Sequence, residues 1–316
     1  MEPKLTRRRA LAVLAGLGLA AHGVRAASAR VLEWRGTALG ADATLVFASA
    51  SKAQAEEALA LCRAEIDRLE RIFSLYLDES EISLLNARGS LIEPSFDMQA
   101  LLTQSLMMHR ATDGLFDPTV QAIWEFRRNL AATGADVNAA LPGRVLEKVG
   151  IEKITMLPES VVLPSGMSIS LNGIAQGYIT DRVADILRRR GWRDVLIDLG
   201  ETRALDGRSF DVLVRESGRK IPLANGALAT SSSMPLPLGA SAGLPHVFHP
   251  RSGTAASRDW STVTVAHASA TTADALSTAL MLCGGGADLA GRIMSRFPTA
   301  RAWISRPDRD DLVIGA

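Results

Sequence analysis

Between Thr271 and Gly284 the chain reads TTADALSTALMLCG, a helix so apolar that any fold of this chain has to bury it. Inside that ribbon the Asp274 carboxylate and the Thr278 hydroxyl stand four residues apart, so both project from the same side. Two readings compete. Asp274 lies near the helix start, where the helix dipole favours an acid, and Thr278 can return its hydroxyl to a backbone carbonyl. Alternatively, the two oxygen-bearing groups share a side because something binds there. The stretch alone leaves both open.

The rest of the pattern sets the class of fold. Residues 43–47 read as a short strand. After Ser51 as cap, Ala55, Leu59, Cys62, Ile66, Leu69 and Phe73 recur at helical spacing. A second helix follows Asp97, with Met98, Leu101, Leu102, Leu106 and His109 turned inward, which makes His109 a core or helix-end histidine. Residues 151–171 read as short strands broken by turns at Pro158–Glu159 and Pro164–Gly166. A helix over 174–190 ends at Gly191. Strands DVLIDLG, FDVLVRE and GALATSS come next, then a Pro/Gly/Ser-rich loop over 234–245 and the strand STVTVAHA. Helices at 272–283 and 287–296 precede ARAWISR and DLVIGA. Strands and helices are mixed without a βαβ rhythm, so the expected class is α+β, mixed sheets with packed helices.

The first residues belong to a different kind of segment. TRRRAL is followed by the 12-residue apolar run from Ala10 to Ala21 and by small residues at Ala26 and Ala29. The run is well short of the ~20 residues a bilayer-spanning helix needs. It reads as a signal peptide over 1–26, twin-arginine-like at Arg7 and Arg8, with residues 27–316 as the folded domain in the periplasm. Without 1–26 the chain keeps 30 basic against 33 acidic residues. That balance offers no footprint for nucleic acid. No low-complexity tract or repeat interrupts it, and its length suits one large domain or two intimately packed lobes. Cys62 and Cys283 sit in separate helical patterns and read as two free buried thiols.

Four islands place polar groups and glycine where packing alone does not ask for them. They are SLYLDESEISLLNA (Ser74–Ala87), TDGLFDPTV (Thr112–Val120), SISLNGIAQGYITD (Ser168–Asp181), and LPHVFHPRSG followed by the Asp274 helix. The third reads as a strand passing through Asn172–Gly173 into a helix start, where glycine leaves backbone groups free to face a ligand. In this order the islands resemble the ApbE family, the FAD:protein FMN transferases of bacterial envelopes. GLFDPTV is similar to that family's G-(A/L)-F-D-P-T-V, LNGIAQGYITD to L-G-G-I-A-K-G-Y-x-x-D, and ANGALATS to its glycine–alanine–threonine–serine strand. HVFHPRSG stands for H-I-I-D-P-(R/K)-T-G and TADALSTAL for A-D-(A/G)-L-(A/S)-T-A.

The resemblance implies a reaction and roles. Mg²⁺ would bind the FAD pyrophosphate, and FMN would pass to a Ser or Thr hydroxyl of a target flavoprotein as AMP leaves. Mg²⁺ takes oxygen ligands and keeps substrate phosphates in its shell. By resemblance its ligands are Asp274, Thr278 and the carbonyl of Gly173, with Ser277 behind them. His246 is the implied general base. Tyr76 is the implied partner of the flavin ring, or a packing residue only. Leu39, Leu115, Phe116, Asp117 and Phe248 fall where the family lines its FAD pocket, although Asp117 before Pro118 is equally a turn residue. Ser170 replaces the family's usual Asp, Gln176 its usual Lys or Glu, and His249 its Asp after the histidine. GETRA (Gly200–Ala204) shortens G-G-D-I-R-A. LNGIAQGYITD with DLGE also resembles the NosX-type subgroup, which serves nitrous-oxide reductase maturation and would make a NosR-like membrane protein the acceptor. Ser170 and His249 keep two alternatives open: a non-catalytic periplasmic flavin-binding carrier, and an FAD pyrophosphatase giving FMN and AMP.

The leader reading generates one prediction. Changing Arg7 and Arg8 to Lys blocks export and leaves precursor in the cytoplasm, because twin-arginine signals are read by a receptor sensitive to that pair. Fractionation with immunoblotting checks it; unchanged delivery of the double-Lys variant means a general secretory signal.

Overall fold

The computed structural model describes residues 31–48, 51–137, 139–214, 217–234, 244–307 and 309–315. The leader reading therefore lies outside the described residues, as does most of the 234–245 loop. Two strands open the fold, β1 (Val31–Ala38) and β2 (Ala41–Ala48), joined at Leu39–Gly40 where both residues take positive φ. That geometry matches the right-handed twist of a two-residue hairpin. Then come α1 (Lys52–Phe73), α2 (Glu81–Arg88), β3 (Ser90–Ile92), α3 (Phe96–Ala111), α4 (Gln121–Ala132), α5 (Gly143–Leu146), β4 (Thr155–Leu157), β5 (Ser160–Val162) and α6 (Ala175–Arg189). The remainder supplies β6 (Val195–Asp198), β7 (Thr202–Ala204), β8 (Phe210–Val214), β9 (Arg219–Leu223), β10 (Gly226–Ser232), β11 (Thr262–His267), α7 (Ala270–Met281), α8 (Ala287–Met294), β12 (Arg301–Arg306) and β13 (Arg309–Gly315).

Eight strands form one antiparallel sheet in the order β1-β2-β6-β7-β10-β11-β12-β13. Both of its faces are covered. Along β2, Leu45 and Phe47 point into the helical core and Val46 to the other side. Along β6, Val195 and Ile197 oppose Leu196 in the same way. Helices α1, α6 and α7 contact one side of the sheet. The β8–β9 hairpin closes the other, with Val212, Val214, Ile221 and Leu223 against Val46, Leu196 and Leu228. This is the expected α+β class. As its sequence demands, α7 is enclosed: it lies on β10 and β11 beneath α6, with Ala273, Ala275, Leu276, Ala279, Leu280 and Met281 fully buried.

Several local readings change. Strand β1 and helices α2 and α4 were not legible as elements. Helix α3 begins at Phe96, and its cap is Ser95, whose Oγ accepts the Met98 N–H at 3.2 Å. Asp97 is instead drawn inward to Arg68 Nη1 (2.8 Å) and the Tyr178 hydroxyl (2.7 Å). Residues 168–171, expected as a strand, have no ladder partner. The Asn86 side chain replaces one, accepting from Ile169 N at 2.8 Å and donating to Ile169 O at 2.9 Å. Cys62 and Cys283 are free and buried, as read. No helix among the described residues is long and apolar enough to cross a membrane.

The closest approach in the helical layer is at Gly177 of α6. A Cβ there would lie 2.3 Å from Ala270 O and 2.8 Å from Thr271 Cα. Both are backbone atoms of α7, so relief requires moving a helix. Ala gains about 1 kcal/mol of helix propensity over Gly, but overpacking a dense core costs about 1–3 kcal/mol. Gly177→Ala should therefore lose up to about 2 kcal/mol net in urea unfolding. Wild-type stability would show that the helices separate freely.

Candidate functional site

The crossing of α6 over α7 brings Asp274, Thr278 and the Gly173 backbone, named from the sequence, into one neighbourhood. Asp274 Oδ2 accepts the Gly177 N–H at 3.1 Å. One turn further along α7, Thr278 Oγ1 lies 3.0 Å from where a Gly173 Cβ would stand, so the Gly173 backbone rests against that hydroxyl. Asp274 does not cap its own helix; Ser269 does, accepting from Thr272 N at 3.2 Å. Backbone return belongs to Ser277, whose Oγ donates to Asp274 O at 2.9 Å. The Ser277 hydroxyl also meets Ser231 Oγ of β10 at 2.7 Å. The one part of the capping reading that survives is in trans: Asp274 closes the first turn of α6.

Asp274 is buried, and Gly177 N–H is the one hydrogen-bond donor to its side chain among the described residues. Burial pushes its carboxyl up to about 7; the Gly177 N–H opposes this, and the Asp181 charge adds to it. Glu201, at the start of the GETRA segment, was not anticipated. It is buried too, and its carboxyl is held well above the ordinary range by burial first and then by the charges of Asp274 and Asp198. No Lys or Arg forms an ion pair with Asp274 or Glu201 among the described residues. A buried carboxylate, a hydroxyl and a glycine-turn backbone with negative charge in excess fit a hard divalent cation, which takes oxygen ligands.

The other predicted residues divide into two groups. Phe116 adjoins the donors, its Cε2 standing 3.6 Å from the Gly173 Cβ position, and Leu115 is buried beside it in sequence. Gln176 is buried with its amide over the Gly200 turn, where a Cβ would come within 2.5 Å of Nε2. Ser170 Oγ accepts from Asn172 N at 3.3 Å on the approach to Gly173. Tyr76 is 46% exposed, a ring free to be covered. Leu39, at φ +48, is held by its N–H to Glu70 Oε1 at 2.6 Å. Asp117 is spent on its loop, accepting from Thr119 N (2.9 Å), Thr119 Oγ1 (2.5 Å) and Ile151 N (3.2 Å). Phe248 is not brought to the donors: its ring fills a separate apolar cluster with Ile123, Val145 and Val149.

The two histidines of LPHVFHPRSG differ in what occupies them. His249 braces a turn, its Nδ1 accepting from Arg251 N at 3.2 Å while its N–H reaches Thr254 O at 2.8 Å. His246 Nδ1 is buried without a hydrogen-bond partner among the described residues. Burial lowers the His246 pKa, with the Met234 backbone opposing, so the ring is neutral at pH 7.

A second group of titratable residues, His109, Asp117 and Glu152, has ligand atoms within 4.8 Å of one another. His109 Nδ1 faces Phe116 O at 3.0 Å and Asp117 Oδ2 at 3.2 Å, while Nε2 faces Glu152 Oε2 at 3.5 Å. Acceptors at both ring nitrogens ask for a proton on each, not a metal. His109 therefore ties the end of α3 to the 115–117 loop, and its pKa is raised, chiefly by Asp117.

An antiparallel sheet sealed by helices and a hairpin, with oxygen donors gathered under a glycine turn, defines an α+β protein with a candidate cation site. The family model described as the ApbE family matches residues 39–296, and the chain belongs to that family. It is 26% identical over 239 residues to the FAD:protein FMN transferase of Haemophilus influenzae, covering 67% of this chain and 68% of that one. To the FAD:protein FMN transferase of Vibrio cholerae it is 27% identical over 248 residues, covering 70% and 73%. Among solved structures it resembles the apo flavinyl transferase ApbE of Pseudomonas stutzeri (TM-score 0.74, 19% identity, 92% of this chain and 97% of that one). It also resembles the ApbE protein of Thermotoga maritima (TM-score 0.75, 24% identity, 90% and 97%). These structural likenesses carry the fold.

The His109 tie predicts a pH dependence. Folding favours the protonated ring, so its stabilisation is complete below the ordinary histidine value of about 6.5 and is lost as pH rises through the raised folded value. The melting-temperature advantage of wild type over His109→Gln should shrink as pH rises above the ordinary histidine value of about 6.5. An advantage independent of pH across thermal melts would mean that the ring acts as a neutral packing group.

Proposed function

We propose that this chain is a Mg²⁺-dependent FAD:protein FMN transferase that moves FMN from FAD to a Ser or Thr hydroxyl of a target flavoprotein and releases AMP. The observation that carries the reading is the buried Asp274 carboxylate, aligned with Thr278 against the Gly173 turn and lacking a cationic side-chain partner among the described residues. Family membership and the names of the curated relatives support the reaction class.

Asp274, Thr278 and the Gly173 carbonyl would hold Mg²⁺, with Ser277 and Ser231 bonded behind Thr278. Bound there, the ion supplies neutralisation of the FAD pyrophosphate and of the charge that develops on it. The acceptor hydroxyl oxygen attacks the FMN phosphorus and forms the new O–P bond. The bond from that phosphorus to the bridging oxygen breaks, and AMP leaves with the oxygen. His246 would take the hydroxyl proton, and its pKa, lowered by burial, keeps the ring unprotonated for the task. His249 is less suited, because its Nδ1 lone pair is occupied by Arg251 N. Phe116 and Tyr76 would offer apolar surface to the flavin. The twin-arginine leader makes the periplasm the proposed site of action, and the NosX-like motifs make a NosR-like membrane protein the proposed acceptor.

Asp274→Asn tests the assignment. Asn keeps the shape and still accepts the Gly177 N–H, so capping alone predicts little change. As a ligand change it abolishes Mg²⁺-dependent AMP release and flavin transfer, while the metal-free melting temperature stays level or rises because a buried charge is gone. Thr278→Val acts more mildly. His246→Ala lowers transfer by ~10²–10⁴ with FAD still bound. Chromatography of AMP and in-gel flavin fluorescence of the acceptor, with and without Mg²⁺, read all three. AMP formed equally without acceptor would mark a pyrophosphatase, FAD binding without any AMP a carrier, and wild-type turnover by Asp274→Asn would remove the site.

A further inference from the structure

Helix α6, with the turn that leads into it, meets α7 along two rows of residues, Gly173–Gly177–Asp181 and Ala270–Asp274–Thr278. The rows run antiparallel and touch at three rungs. Gly173 rests on Thr278, Gly177 N–H donates to Asp274, and the Ala270 N–H donates to Asp181 Oδ1 at 2.9 Å. The first two rungs are the candidate cation site. The third is far more heavily bonded than either. Asp181 Oδ2 also accepts from Ser269 Oγ (2.8 Å), Thr271 N (3.0 Å) and Thr271 Oγ1 (2.8 Å), so this α6 carboxylate closes the first turn of α7. Arg203 of β7, buried and with Nε unpartnered among the described residues, pairs with Asp181 Oδ1 through Nη1 and ties the rung to the sheet.

We infer that Asp181 is a positioning residue of the cation site, fixing the register of α7 on α6 so that Asp274 and Thr278 arrive together opposite the Gly173 turn. Neither rung at the site can hold that register alone. Gly173 and Gly177 have no side chains, and one N–H to one carboxylate permits rotation about the contact. Asp181, with five donors converging on its two oxygens, does not. A rotation or slide of α7 at its start carries Thr278 away from Gly173, because Thr278 moves with its rigid helix while Gly173 is fixed in the turn that leads into α6.

This inference rests on the cation-site reading above, and the test separates the two. Mg²⁺ is titrated calorimetrically into metal-free full-length protein, in parallel with thermal melts of the same samples. Wild type binds and Asp274→Asn does not. Asp181→Asn, which keeps the shape but loses the charge and half of the acceptors, should bind Mg²⁺ about tenfold more weakly at a temperature where it is fully folded. Thr271→Val removes a single donor to Asp181 and should weaken binding by about threefold. It decides the question should Asp181→Asn not fold. A merely structural Asp181 lowers the metal-free melting temperature and leaves the Mg²⁺ dissociation constant of the folded protein at the wild-type value. That result, with Asp274→Asn inactive in binding, overturns the positioning role alone. Wild-type binding by Asp274→Asn overturns the site, and this inference with it.

Discussion

The contact between α6 and α7 at Gly177 is the constraint on which the rest of the helical layer depends. Two helix backbones rarely come close enough for an N–H of one to reach a side-chain carboxylate at the start of the other. Here the missing Cβ permits it, and the Ala270 carbonyl occupies the space a methyl group would need. The consequences run outward from there. α7 must be apolar on its remaining sides because it is pressed onto β10 and β11 by α6. The sheet beneath must then be hydrophobic on that side, as Val263 and Val265 of β11 are. Its opposite face needs the β8–β9 hairpin, since β6 and β10 carry apolar groups on both sides.

The same contact concentrates charge. Asp274 and Glu201 are both enclosed, and after burial itself the Asp274 charge raises the cost of ionising Glu201. In an apolar layer without a cationic side chain at hand, such a pair has two ways to neutrality: hold protons or hold a cation. A fold built only for stability would carry neither carboxylate, because apolar residues of similar volume serve a core at least as well. Asp181 shows the contrast. Its charge is matched by Arg203 and by four further donors, and it belongs to the architecture. Asp274 has one N–H donor among the described residues, and the imbalance is what makes it a candidate.

Much of this candidate arrangement is legible in the sequence because it is built from helix-spaced residues next to glycine. Asp274 and Thr278 were visible as intruders in an apolar ribbon, and Gly173 as a turn before a helix. Three things were not visible. The β1 strand alternates half-buried and exposed residues with few strong hydrophobes, so its pairing with β2 is a tertiary fact. Asp97 looks like a better cap than Ser95 until Arg68 and Tyr178 are seen to claim it from two other helices. Glu201 becomes notable only when β6 and β7 fold back to place it near Asp274, a contact of high sequence separation that local pattern does not encode. Asp117 and Phe248 show how local bonding adds to what a motif suggests. They stand in family-like segments, yet one is consumed by turn hydrogen bonds and the other by a satellite apolar cluster.

The replacement of the family's usual Asp by Ser170 can be understood in the same terms. Ser170 N donates to Pro118 O at 2.9 Å and its Oγ accepts from Asn172 N at 3.3 Å. A short oxygen-bearing side chain accepting the N–H two residues on is the turn function that Asp and Ser share. The approach to Gly173 therefore keeps its shape without a carboxylate. What is lost is a negative charge three residues from the proposed ligand Gly173. The chain thus retains the geometry of the turn while reducing the charge a cation must balance. Any weakening of flavin contact at Ser170 is then separate from the integrity of the Gly173–Thr278 rung, which depends on α6 and α7 and not on the residue at 170.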